Sequence, residues 1–140
     1  MNATATIGDN SCNEYSQGGV CMDASATIGN NSCNGEFACR GAAGEIGNGS
    51  CSDVTACSGN TGTVGNNSCN SFTGCGSNQG TVGAGSCNCL DIAWSCIHNS
   101  GDIGANSCNA FGACGNNSAD LGDNVCNTSC ECDVNAVFCP

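Results

Sequence analysis

Aliphatic residues are sparse along this chain and evenly spaced. Ile7, Ile28, Ile46, Val64, Val82, Ile103 and Leu121 follow one another at steps of 18 residues, with two steps of 21. Each is followed by glycine: Gly8, Gly29, Gly47, Gly65, Gly83, Gly104 and Gly122. Polar turn residues such as Asp9-Asn10 or Asn66-Asn67 come next, and then Ser-Cys-Asn or a near relative. A short fixed period means one structural unit stacked on itself. No 3.6-residue apolar period survives, and Gly and Asn are too frequent for helices. The pattern predicts an all-β fold: a disulfide-laddered β-solenoid (β-helix) of seven coils of 18 residues. It forms a single repeat domain over 1–140. Coils start near residues 7, 28, 46, 64, 82, 103 and 121, and a C-terminal cap covers 130–140. Ser-Cys-Asn is the expected short parallel strand. At about 4.8 Å per coil the rod would be roughly 34 Å long.

A glycine in every copy predicts a backbone that needs positive φ or close packing. Both three-residue insertions fall between paired cysteines, where Cys12 to Cys21 and Cys87 to Cys96 span nine residues rather than six. That segment is expected to be a loop that bulges, while the Ile-Gly-turn-Ser-Cys-Asn side keeps its frame.

Seventeen of the 140 residues are cysteine, with one Trp, one Tyr and four Phe. An ordinary apolar core is out of reach, so covalent links are expected to replace much of it. Such links persist in oxidising compartments, which predicts an extracellular protein, secreted or at the cell surface. Twelve acids face the single base Arg40, so nucleic-acid backbones and anionic membranes are excluded as partners on sign alone. No apolar run has membrane-spanning length. The start, Met1-Asn2-Ala3-Thr4, carries no signal peptide, which predicts a processed or recombinant form or a piece of a longer repeat array.

Three readings of the cysteines compete: bonds within a coil, bonds between adjacent coils, and metal clusters. Inward cysteines on opposite walls of a narrow coil favour the first. The expected pairs are Cys12–Cys21, Cys33–Cys39, Cys51–Cys57, Cys69–Cys75, Cys87–Cys96, Cys108–Cys114 and Cys126–Cys132, with Cys130–Cys139 closing the cap and Cys89 unpaired. Zinc-site spacing is missing, since no Cys-x-x-Cys occurs. No metal, cofactor or catalytic residue is assigned. His98 is the lone histidine, and no nucleophile has a base placed near it. The chain is therefore expected not to be an enzyme. Glu45, Asp102 and Asp120 share a column with Thr6, Thr27, Thr63 and Thr81. Calcium is the weaker reading of those acids and solvation the plainer one. Sequons stand at Asn2, Asn30, Asn48, Asn66, Asn116 and Asn127.

If the first cysteine of each coil points inward, strand alternation turns its neighbours outward. One candidate surface ladder is then Ser11, Ser32, Ser50, Ser68, Ser86 and Ser107 beside Asn13, Asn34, Ser52, Asn70, Asn88, Asn109 and Asn127. The second candidate ladder is Thr6, Thr27, Thr63 and Thr81. With Ser32-Cys33-Asn34 and Cys39, Ser68-Cys69-Asn70 and Cys75, and Ser107-Cys108-Asn109 and Cys114, the chain resembles the disulfide-stapled β-solenoid antifreeze proteins of insects. In that family Thr-Cys-Thr forms a flat ice-binding face and the cysteines pair within the coil. The departures are a longer coil and Ser/Asn in place of Thr. Phrases such as IGNNSC-NGEFAC-RGAAGE also partly resemble the hexapeptide repeats of left-handed β-helices, which leaves the handedness open. In that register Ser points inward and the Ser/Asn face dissolves. The resemblance implies ice or ordered water as the partner. The competing expectation is a structural or adhesive rod whose partners are copies of itself, stacked end to end.

Overall fold

The computed structural model describes residues 4–13, 19–89 and 94–128, and these are mostly non-helical. Three two-residue strands, β1 (Thr6–Ile7), β2 (Thr27–Ile28) and β3 (Glu45–Ile46), form a parallel sheet in the order β1-β2-β3. The register sets Thr6 beside Thr27 and Thr27 beside Glu45. Single parallel bridges extend the same ladder through Ile46–Val64, Val64–Val82, Val82–Ile103 and Ile103–Leu121. Local sequence explains this ladder. Thr61 is exposed, Gly62 buried, Thr63 exposed and Val64 buried, which is the two-residue alternation of a half-buried strand.

The rest of each repeat also bonds to its neighbour. Cys33 N–H donates to Ser50 O (3.0 Å), Cys57 N–H to Ala38 O (2.7 Å) and Ala43 N–H to Asn60 O (2.8 Å). Backbone groups that irregular structure would leave unpaired are thus satisfied between repeats. The core is thin. Its column of Ile28, Ile46, Val64, Val82 and Ile103 packs with alanines and with cysteine side chains. Ile28 is 2% exposed between two neighbouring repeats, whereas Ile7, with one described neighbour, is 44% exposed.

One expectation needs correction. Ser-Cys-Asn is not a strand. The first cysteine of each repeat is left-handed, with φ of 55° at Cys33 and 57° at Cys51 and Cys69. A non-glycine residue holds that conformation only where its surroundings over-determine it. Here a disulfide and two flanking backbone bonds do so. The strand sits instead at the residue pair ending in the aliphatic.

Of the two reasons expected for the invariant glycines, close packing is the one that the structure bears out, and none of them has positive φ. A Cβ at Gly29 would stand 2.7 Å from Asn48 N, and one at Gly65 would stand 2.7 Å from Ala84 N. At Gly122 the same atom would meet nothing within 4 Å. The positive-φ turn positions lie two residues further on, at Asn31 (φ 56°), Gly49 (φ 64°) and Asn67 (φ 53°).

Candidate functional surface

The serine ladder points inward. Ser32, Ser50, Ser68, Ser86 and Ser107 are fully buried and Ser11 is 7% exposed. The left-handed cysteine breaks the alternation that would have turned these serines out. Each hydroxyl joins two backbone groups of the next repeat. Ser50 Oγ accepts the Ser68 N–H (3.1 Å) and donates to Gly65 O (2.7 Å). Ser68 Oγ accepts the Ser86 N–H (3.2 Å) and donates to Gly83 O (2.8 Å). At Val125 the hydroxyl is missing, though its N–H still donates to Ser107 Oγ (3.1 Å). These serines offer nothing to a partner.

The asparagines that follow the cysteines lie nearer the surface, but they too are occupied by the stack. Asn70 Oδ1 accepts the Ser52 N–H (3.0 Å) while its Nδ2 donates to Gly49 O (2.9 Å). Asn34, Asn88, Asn109 and Asn127 make the same pair of bonds. Asn13 and Ser52 are exposed. The column is a set of clamps and not a free array of amides.

A further column was not anticipated. Asn60, Asn78 and Asn99 are fully buried and Asn117 is 8% exposed. Asn78 Nδ2 donates to Asn60 Oδ1, Asn99 Nδ2 to Asn78 Oδ1, and Asn117 Nδ2 to Asn99 Oδ1, each at 2.9 Å. Each amide also donates to the carbonyl two residues on, as Asn78 does to Gly80 O (2.8 Å). The sequence signal was an Asn three residues after Cys57, Cys75, Cys96 and Cys114, where Cys21 and Cys39 have Ala24 and Ala42.

The outward face is the sheet itself. Thr6, Thr27, Thr63 and Thr81 are exposed, in one column with the exposed Glu45, Asp102 and Asp120. Two residues before each stands a second exposed residue: Thr4, Ser25, Ala43, Thr61, Gln79, Ser100 and Ser118. Along extended backbone the two columns lie about 6.8 Å apart, with rows about 4.8 Å apart. The small residue between them is held flat, because a Cβ at Gly62 would meet Gly80 O and Asn78 Nδ2. Two of the acids also serve the stack. Asp102 Oδ1 accepts the Thr81 N–H (3.0 Å) and Asp120 Oδ1 accepts the Asp102 N–H (3.1 Å).

Six disulfides join Cys12 to Cys21, Cys33 to Cys39, Cys51 to Cys57, Cys69 to Cys75, Cys87 to Cys96 and Cys108 to Cys114. Their Cα atoms are 5.5 Å apart for Cys51–Cys57 and 5.9 Å for Cys87–Cys96. Cys126 is disulfide-bonded. The expected pairings Cys126–Cys132 and Cys130–Cys139, and the cap at 130–140, lie outside the described residues, as does Asn2. Cys89 is a free, half-buried thiol. The sulfurs of Cys69, Cys75 and Cys87 lie within 4.8 Å of one another, but each is held in a disulfide and none is a thiolate ligand. His98 is exposed. Ser95 Oγ is buried without a hydrogen-bond partner, in the slot that holds Ala38, Ala56 and Ala113 elsewhere.

The geometry defines a disulfide-rich β protein whose repeats are bonded to one another through buried polar columns. Residues 1–92 match the family model described as a domain of unknown function, DUF7640, and the chain belongs to that family. No curated protein and no solved structure matches the chain.

Proposed function

We propose that the chain is a disulfide-laddered β-solenoid of seven coils that works outside the cell as a rigid, non-enzymatic structural rod. The observation that carries this reading is the use of polar side chains inside the stack. The Ser, Asn and buried Asn columns all join one repeat to the next, as in the Ser50 and Asn78 bonds. Side chains spent in this way rigidify a thin core that hydrophobic burial alone would not stabilise. In-coil disulfides of the kind found here are typical of oxidising compartments. Its partners on this reading are copies of itself or the matrix around it. The test is surface labelling of unpermeabilised cells with an antibody, combined with a thiol count on the native protein. Surface signal with the ladder cysteines blocked to alkylation is expected. A cytosolic, reduced protein contradicts the proposal.

A specific observation favours a second reading, ice binding. The two outward columns hold short hydroxyl side chains in both places at Thr4/Thr6, Ser25/Thr27 and Thr61/Thr63. This flat sheet, and not the Ser-Cys-Asn side, is the face that would order water. Ice-crystal shaping by the oxidised protein, lost in Thr63→Leu at unchanged stability, is the expected result. Round crystals at millimolar protein would remove this reading and leave the rod.

A further inference from the structure

We propose that Asn116 is an N-glycosylation site, the one described sequon that the folded chain leaves open to a transferase using a lipid-pyrophosphate-linked oligosaccharide. The inference rests on the extracellular placement above.

Transfer to a chain that has already folded needs an exposed asparagine amide and an accessible hydroxyl two residues on. At Asn30, Asn48 and Asn66 the structure denies the second. Their hydroxyl partners Ser32, Ser50 and Ser68 are fully buried, each bonded to two backbone groups of the next repeat. The asparagines themselves are also engaged. Asn30 Oδ1 accepts the Asp9 N–H (2.8 Å), Asn48 Oδ1 the Asn30 N–H (2.7 Å) and Asn66 Oδ1 the Asn48 N–H (2.8 Å). Consecutive repeats about 4.8 Å apart leave no room for a glycan on each. At Asn127 both ends of the amide are bonded, Oδ1 to the Asn109 N–H (3.1 Å) and Nδ2 to Asn106 O (2.5 Å).

Asn30, Asn48 and Asn66 are exposed and their Nδ2 atoms are unbonded, as at Asn116, but Asn116 differs in its free Oδ1 and in its exposed hydroxyl partner, Ser118. Asn116 is exposed on a left-handed turn (φ 55°) that its own N–H fastens to Ile97 O (2.8 Å). Its side-chain amide has no hydrogen bond, and the exposed Ser118 hydroxyl has none either. The middle residue, Asn117, is anchored inside by its bonds to Asn99 Oδ1 (2.9 Å) and Ala119 O (2.7 Å). The stack thus holds the turn while presenting both reactive groups to solvent. In the transfer, Asn116 Nδ2 bonds to the anomeric carbon of the sugar and loses one proton. The bond from that carbon to the pyrophosphate oxygen breaks, and the lipid pyrophosphate leaves with the electron pair.

The test uses the full chain secreted by eukaryotic cells, treated with peptide N-glycosidase in heavy-oxygen water and mapped by mass spectrometry. Isotope label at Asn116, with none at Asn30, Asn48, Asn66 or Asn127, is expected. Asn116→Gln and Ser118→Ala should each remove that label and the glycan-dependent mobility step, with the disulfides intact. Label at Asn30, Asn48 or Asn66, or an oxidised secreted chain bare at Asn116, overturns the proposal. A chain retained inside the cell with free thiols fails the extracellular reading instead. The purified oxidised chain is then given to purified transferase and lipid-linked donor. Transfer to Asn116 upholds the site, and no transfer overturns it.

Discussion

The hydroxyl of Ser68 donates to the carbonyl of Gly83 at 2.8 Å, across the boundary between two repeats. Gly83 is one of the invariant glycines, and a Cβ there would stand 2.5 Å from Ala105 N in the repeat beyond. Serine and glycine are therefore one device. The glycine lets successive backbones approach, and the serine fastens the approach with two hydrogen bonds. Ser68→Ala would leave the buried Ser86 N–H and the carbonyl of half-buried Gly83 without that partner. A loss of about 1–3 kcal/mol in denaturant unfolding of the oxidised protein is expected. The exposed Ser52→Ala is the control and should stay within about 0.5 kcal/mol of wild type.

Glycine replacement separates stacking from conformation. Gly65→Ala drives a methyl against Ala84 N, whereas Gly122→Ala meets open space. Overpacking of this kind costs about 1–3 kcal/mol. Melting curves should show Gly65→Ala clearly destabilised and Gly122→Ala close to wild type. Equal losses at both would mean that the glycines serve backbone freedom and not approach.

The buried asparagines form a polar core that alanine fits but does not satisfy. Asn78→Ala removes the partner of Asn60 Oδ1 and of Asn99 Nδ2. The methyl is accommodated, since Ala24 and Ala42 occupy the same column. Unfolding should show a loss of about 1–3 kcal/mol, from unpaired amides and not from strain. Paired with Asn99→Ala, the change should be markedly non-additive, because the two side chains share a bond.

Ser95 carries the opposite expectation. Its hydroxyl is buried and unpartnered where other repeats place alanine. Ser95→Ala should stabilise the protein by about 1 kcal/mol, measured as a raised midpoint in denaturant. A destabilised variant would show that the hydroxyl has a partner in solution.

The repeat and its frame were legible because every copy places an aliphatic, a glycine and a first cysteine at fixed offsets, with a serine before that cysteine in all but the last copy, where Val125 stands. Fixed spacing within one chain reports stacking directly. The cysteine offsets in the Cys33/Cys39 and Cys51/Cys57 copies are those that the structure joins. Side-chain direction was not legible, because it depends on backbone angles that residue identity does not reveal. A cysteine is a poor candidate for the left-handed region, yet Cys69 sits there at φ 57°. That single angle turns Ser68 inward and moves the outward face to the Thr61–Thr63 side. The Asn60 to Asn117 column was hidden for a related reason. Asparagine reads as a turn residue, and only its recurrence three positions after the second cysteine marks it as core.

The central claim is that the Ser ladder faces inward and binds successive repeats together. Amide hydrogen exchange of the oxidised protein, resolved by residue, tests it most directly. The account predicts that the amides of Ser50, Ser68, Ser86 and Ser107, which donate to buried hydroxyls, exchange among the slowest in the chain. Each should become fast when the preceding serine is changed to alanine. Fast exchange at these serines in the intact oxidised protein would contradict the account and return the ladder to the surface.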